Sequence, residues 1–167
     1  MQVRQQDRAV WMEMTIKLET GLSVPEYRHI LTTSGLAGRR PVEHLHRLSS
    51  LLERADVLVT ARREGELLGI GRAIFWGRRF CYLADLAVDP VFQRRGIGRR
   101  ILEAVHAHAC YRILFLIAVP EAVGYYRHLG LQSLSIFPRF CWKQYPGWSS
   151  ISSEGVRQPE YTMGPTP

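Results

Sequence analysis

Residues 83–105 read LADLAVDPVFQRRGIGRRILEAV, and few folds accommodate that series. An apolar strand runs into an Asp89-Pro90 break, and the chain turns through Gln93, Arg94, Arg95, Gly96, Ile97 and Gly98. A helix follows with Ile97, Ile101, Leu102 and Val105 on one face. The turn therefore brings glycines and arginines to a helix N-terminus, where the first N–H groups lack helical partners and the macrodipole is positive. Such a place suits a phosphate or pyrophosphate. Gly96 and Gly98 let the backbone approach a ligand, while Arg94, Arg95, Arg99 and Arg100 add donors and charge. Gly-Ile-Gly-Arg also occurs at residues 69–72, inside a strand-like run with no helix after it, so the glycines alone carry no anion site. A dinucleotide fingerprint needs a third small residue where Ile101 stands, and a P-loop needs Gly-Lys-Ser/Thr; neither describes this turn.

Val88-Asp89-Pro90 followed by Gln93-Arg94-Arg95-Gly96-Ile97-Gly98 resembles the acetyl-CoA-binding motif of the GNAT superfamily of N-acetyltransferases. Ala122, Tyr125-Tyr126 and Gly130-Leu131 resemble that family's AxxFYxxxGF element, in the usual order and separation. The resemblance implies an α/β fold of the GNAT-like acyl-CoA N-acyltransferase type, a central mixed and mostly antiparallel sheet flanked by helices. It also implies direct transfer of an acetyl group from acetyl-CoA, as cosubstrate and without a metal, to a primary amine of a small molecule or peptide. Strands ending at Val88 and Val119 would splay apart to admit the pantetheine arm. Carried over position by position, the backbone of Leu86, Ala87 and Val88 would hold pantetheine. Arg94, Arg95, Gly96, Ile97, Gly98 and Arg99 would hold the pyrophosphate. A backbone N–H near Val88 would serve the oxyanion, and Tyr126 would protonate the departing thiolate. The chain departs from the pattern at Pro120-Glu121, where many members carry an asparagine that contacts CoA, and at Leu131, where Phe is usual. Related small acetyltransferases are often dimers, which makes a homodimer the oligomer to test for.

Composition limits the alternatives. With 167 residues, 46% hydrophobic and 22% charged, the chain suits one domain, expected over residues 1–144 with 1–11 frayed. Residues 145–167, rich in Pro, Gly and Ser, read as a flexible tail. No apolar run reaches the length of a membrane span and residues 1–10 lack a signal core, so a cytoplasmic protein without a membrane partner is expected; Met12 or Met14 could equally open it. Cys81, Cys110 and Cys141 form no CxxC, which argues against zinc and a disulfide framework and leaves apolar filling as the use of each. The net charge of +7 is almost wholly arginine and is spread over doublets without interleaved aromatics. That pattern argues against a nucleic-acid surface and suits a polyanionic cosubstrate.

In chain order, a strand is expected over 12–18. Ser23-Val24-Pro25-Glu26 is a capping box opening a helix that buries Tyr27, Ile30 and Leu31. Pro41 is expected to open a second helix with Val42, Leu45, Leu48 and Leu52 on one face, closing near Asp56. Residues 57–63 and 67–76 read as a hairpin, and 80–88 as the strand feeding the anion turn. Residues 113–119 read as a buried strand, 122–129 as a short helix, and 131–137 and 139–143 as further strands.

Candidates for the remaining chemistry are fewer. Asp85 lies in an otherwise apolar strand, where a carboxylate needs a partner or a task. Strict alternation puts Asp85 and Ala87 on one face and Tyr82, Ala84 and Leu86 on the other, so of the two substrate candidates, Asp85 and Tyr82, only one could face the acceptor. The family's acceptor wall would be the 33–41 loop and the last strands. Arg39-Arg40 there suit a carboxylate- or phosphate-bearing acceptor better than a polycation, although solvent exposure is the expected role. The alternative for Tyr126 is a core aromatic, His106 and His108 read as surface or packing residues, and nothing supplies Cys81 or Cys110 with a base. Two other functions fit these residues: a non-catalytic acyl-CoA-binding or regulatory module, and a basic nucleic-acid-binding domain whose affinity would fall steeply with salt.

Overall fold

The computed structural model describes residues 14–133 and 141–144. The expected leader over 1–11, the tail over 145–167 and strand positions 134–140 lie outside the described residues. One seven-stranded sheet forms the centre, with β1 (Met14–Leu18), β2 (Val57–Arg63), β3 (Glu66–Trp76), β4 (Phe80–Val88), β5 (Ile113–Ile117), β6 (Gln132–Ser133) and β7 (Cys141–Gln144). Its order is β1-β2-β3-β4-β5-β7-β6. Among the described strands only β4 and β5 run parallel; every other neighbouring pair is antiparallel. Helices α1 (Val24–Thr33) and α2 (Leu45–Glu53) cover one face, and α3 (Ile97–His108) covers the other, leading through β5 to the short α4 (Val123–His128). This is the mixed, mostly antiparallel α/β arrangement the sequence implies.

Local chemistry explains most boundaries. Ser23 caps α1 through its hydroxyl, Glu26 returns the bond to the Ser23 backbone, and Pro25 needs no N–H in the first turn. Tyr27, Ile30 and Leu31 are buried as the spacing requires. The second helix starts later than its sequence suggests. After a 3-10 turn at Leu36–Arg39, Pro41 accepts from the His44 N–H in a single turn that goes no further, and α2 begins at Leu45. Leu48 is its buried residue and Leu45 is exposed. Strand β5 is also less enclosed than its all-apolar sequence implies, for Leu114 and Leu116 are buried whereas Ile117 is exposed. Cys81 fills the core as expected, but Cys110 is exposed just beyond α3, at a left-handed φ of 56°.

The second Gly-Ile-Gly-Arg proves to be a packing device. A Cβ at Gly71 would stand 2.5 Å from Ile101 Cγ2 and 2.8 Å from Val105 Cγ2, and one at Gly69 would meet the Ala87 carbonyl oxygen at 2.8 Å. Helix α3 is therefore seated in a notch on β3 that only glycine leaves open. The helix buries Ile97, Ile101, Leu102 and Val105 there.

Candidate active site

Two features of β4 create the site. The first is a bulge: Arg72 pairs with Asp85, but the next residue, Ala73, pairs with Leu83, leaving Ala84 unopposed. Cys81, Leu83, Leu86 and Val88 thereby pack toward α3, while Ala87 joins the α1 side and Asp85 bonds α1 itself. The extra residue resets the alternation, so Tyr82 and Asp85 share the α1 face instead of opposing each other. The second feature is the loss of the β5 partner. The strands pair from Phe80↔Ile113 to Tyr82↔Phe115 and no further, so they part beyond that point.

The parting exposes one edge of β4. Ala84 offers its carbonyl to Arg40 Nη2 at 2.5 Å, and Val88 offers its carbonyl to Gln93 Nε2 at 2.9 Å. Both therefore point away from β3, and by the two-residue repeat the Leu86 N–H and C=O between them face the gap as well. Ala87 faces the other way, its oxygen lying against Gly69 on β3. Of the three expected pantetheine contacts, Leu86 and Val88 thus present backbone groups to the gap and Ala87 does not.

The anion turn lies at the α3 end of this gap. Asp89 caps the 3-10 turn Pro90–Phe92 by accepting from the Val91 N–H, Arg94 takes a left-handed φ of 59°, and Gly96 caps α3 at φ 79°. Because the first bond back to Gly96 is made by the Arg100 N–H, the amides preceding it at the start of α3 have no helical acceptor. Leu86, Val88, Arg94, Gly96, Gly98 and Tyr125 are among the residues lining a groove of ≈ 640 Å³. A Cβ at Gly98 would lie 2.6 Å from the Tyr125 hydroxyl, so glycine keeps that part of the groove open. Ile97 and Arg99 also line the groove, with Arg99 bonded to Glu103 at 2.9 Å on the exposed helix face. Arg95 departs from its expected place: it is half-buried, with its guanidinium 5.9 Å from the Phe92 ring, and it is not among the lining residues.

A second cavity, of ≈ 540 Å³, opens on the opposite side of the gap. Its wall is built by the 34–40 turn, by Tyr82, Ala84 and Leu86 of β4, by 116–119 after the splay, and by Glu121. Leu86, Ala122 and Tyr126 line both cavities, which therefore meet at the parted strands. Tyr126 packs against the α3-side core, and burial, with Tyr125 beside it, pushes its phenol well above the usual tyrosine range. It is protonated at neutral pH, the form an acid requires.

Asp85 does not enter either cavity. Its carboxylate is fully buried and accepts from Tyr27 Oη at 2.6 Å, Arg72 Nε at 2.5 Å and Arg40 Nε at 2.6 Å. Arg72 also reaches the Leu51 carbonyl. Burial opposes the charge on Arg72 most strongly, yet the Asp85 carboxylate and Tyr27 outweigh it and raise its pKa. Burial, then the Asp85 charge, keeps the Tyr27 phenol neutral. Asp85 is thus a partnered anchor and Tyr82 a cavity wall. Arg40, expected in solvent, is held on Asp85 with a side chain only 20% exposed. Sequence reasoning named Glu121 and Gln93 as motif positions without giving either a place in the site; Glu121 lines the second cavity and Gln93 bonds the Val88 carbonyl. Among the described residues no cluster of His, Cys, Asp and Glu is arranged to hold a metal ion, and no helix is long and apolar enough to cross a membrane.

Comparison with known proteins agrees with this geometry. Residues 54–132 match the family model described as an acetyltransferase (GNAT) domain. No curated protein matches the sequence. A GNAT-family acetyltransferase from Streptococcus pneumoniae superposes with TM-score 0.61, at 23% identity over 84% of this chain and 99% of that one. The PaiA N-acetyltransferase of Thermoplasma acidophilum, solved with coenzyme A, gives TM-score 0.64 at 14% identity over 78% and 99%. The GNAT N-acetyltransferase YhbS of Escherichia coli, also solved with coenzyme A, gives 0.64 at 15% over 80% and 81%. The splayed strands, the glycine-arginine turn and the matched segment fall in one place: residues 54–132 match a GNAT acetyltransferase domain, and the chain has the GNAT fold.

Proposed function

We propose that this chain is a cytoplasmic N-acetyltransferase that moves an acetyl group from acetyl-CoA directly to a primary amine of a small molecule or peptide. The observation that carries the reading is the meeting of two cavities at the β4–β5 splay, with Leu86, Ala122 and Tyr126 common to both. One cavity suits the cosubstrate. Its amides at the start of α3 and Arg94 and Arg99 face a pyrophosphate, and the Leu86 backbone offers pantetheine a strand-like edge. The other cavity receives the amine.

Acetyl-CoA supplies the thioester. The amine attacks its carbonyl carbon, a backbone N–H near Val88 stabilises the developing oxyanion, and the C–S bond breaks as Tyr126 gives its proton to the departing sulfur. The amine nitrogen releases a proton to solvent or to Glu121, the carboxylate among the lining residues, and solvent returns a proton to Tyr126. Asp85 is excluded as that base because three donors already occupy it.

Thermal unfolding with acetyl-CoA tests the cosubstrate, with desulfo-CoA and ATP as controls. At ~100 times its dissociation constant the ligand adds about 2.7 kcal/mol, a rise of roughly 5–10 °C for a domain of this size. A rise with ATP as large as with acetyl-CoA, or none with either, would count against the reading. Tyr126→Phe is expected to lower kcat by about 10²-fold or more while leaving CoA affinity in place. Wild-type turnover in that variant would reduce Tyr126 to a packing residue.

A further inference from the structure

We propose that the acceptor is a primary amine that also carries an anionic group, a carboxylate or a phosphate, bound by Arg40 with Arg39 in the cavity between the 34–40 turn and the parted ends of β4 and β5. This deepens the transferase reading above and rests on it. The first observation is charge. Two arginines, Arg72 with a side chain 3% exposed and Arg40 with one 20% exposed, share the single buried carboxylate of Asp85. The Tyr27 phenol that completes the cluster adds no charge. The cluster therefore carries one positive charge in excess, and its only partly open member is Arg40, which lines the cavity. A cation drawn out of water without a full counter-charge favours an anion from outside.

The second observation is geometry. Arg40 spends Nε on Asp85 Oδ1, one Nη1–H on the Arg39 carbonyl at 2.9 Å and one Nη2–H on the Ala84 carbonyl at 2.5 Å. A guanidinium has five N–H donors, so two remain, on a fork already held in place from three sides. Both arginines line the cavity. The third observation is the rest of the lining. Glu121 and Tyr126 share the cavity with the two arginines, and Tyr126 also borders the groove where the thioester would lie. An acceptor with its anion on Arg40 and its amine toward Glu121 and Tyr126 matches the charges of this lining. A polycation would set like charge against Arg39 and Arg40.

The test uses the full chain and matched amines: phosphoethanolamine against ethanolamine, β-alanine against β-alaninamide, and phenylalanine against phenylalaninamide. Thiol release from acetyl-CoA is followed at low salt. The anionic member of at least one pair should exceed its neutral partner in kcat/KM by about tenfold or more, the size of a hydrogen bond between charged groups. The phosphate and carboxylate pairs show which anion is read. Arg40→Gln, which leaves Asp85 with Arg72 and Tyr27, should raise KM for the anionic member and erase the preference, while the melting shift with acetyl-CoA persists. Arg40→Lys keeps the charge without the fork and should fall between; Arg39→Gln should weaken the preference less, and carries the test if Arg40→Gln does not fold. Neutral members reacting as well as anionic ones, or a preference untouched by Arg40→Gln, overturns the inference and leaves the transferase standing. If acetyl-CoA gives neither shift nor thiol release, the transferase reading itself fails. Calorimetry of phosphoethanolamine and phenylalanine then decides the anion site: binding that Arg40→Gln removes sustains it, and no binding overturns it.

Discussion

Asp85→Asn is the substitution that most directly probes how the site is held. The carboxylate takes three donors, two on Oδ2 and one on Oδ1. An asparagine amide can present its oxygen to only one of those sides, and its NH₂ then faces Arg40 Nε or the Tyr27 and Arg72 pair. Either way a donor loses its acceptor and Arg72, almost wholly enclosed, loses its counter-charge. Removing one member of a buried ion pair costs about 3–5 kcal/mol. At roughly 2–4 °C per kcal/mol for a domain of this length, Tm should fall by about 6–20 °C. Urea midpoints at neutral pH provide the same comparison without heat-induced aggregation. The double variant Asp85→Leu with Arg72→Met removes both charges together, so its cost should be well below the sum of the two single changes, with the remaining Arg40 free to turn toward solvent. A Tm loss of under about 2 °C for Asp85→Asn, or strict additivity in the double variant, would refute the view that a charged, fully engaged Asp85 organises this face.

Three further outcomes follow from other parts of the molecule. Gly71→Ala should cost about 1–3 kcal/mol, because its Cβ meets two branched methyl groups of α3 that cannot swing aside; Gly21→Ala, with nothing within 4 Å, is the control and should be close to neutral in chemical denaturation. Hydrogen bonding to Arg62, first, and to Ser23 lowers Glu26 from 4.5 to about 2, and the Arg62 bond likewise lowers Glu19. Since both folded values are depressed, this stabilisation is complete above pH 4.5 and is lost as the pH falls toward 2; Arg62→Gln should reduce stability at neutral pH and flatten that acid limb, and an unchanged limb would refute the pairing. Burial lowers the pKa of His106, whose Nε2 is enclosed without a partner, so below about pH 6.5 the unfolded chain takes the proton first and stability falls. His106→Leu should remove that loss, which denaturation midpoints at pH 7 and pH 5.5 would reveal.

What could be read from the sequence follows the range of the forces involved. The capping box at Ser23 and the buried face Ile97, Ile101, Leu102, Val105 depend on residues three and four apart, and the structure reproduces both. Strand β4 likewise has the bounds expected of residues 80–88. The bulge at Ala84 leaves no such mark, because it is a mismatch between two strands and neither strand's composition records it. Its consequence was large: one unopposed residue moved Tyr82 to the face of Asp85 and set Ala84's carbonyl on Arg40. The Pro41 turn misled for a related reason, since proline suits the first turn of a helix and an isolated turn equally well. Asp85 shows where such reading stops. A carboxylate in an apolar strand announces that it must have partners, but its donors stand 58, 45 and 13 positions earlier in the chain, on a helix, a turn and a neighbouring strand. Only the folded sheet brings them together. The bulge that hid this cluster from the sequence also turns Ala84's carbonyl toward Arg40, so this one strand position bears on both the Asp85 anchor and the arginine that lines the second cavity.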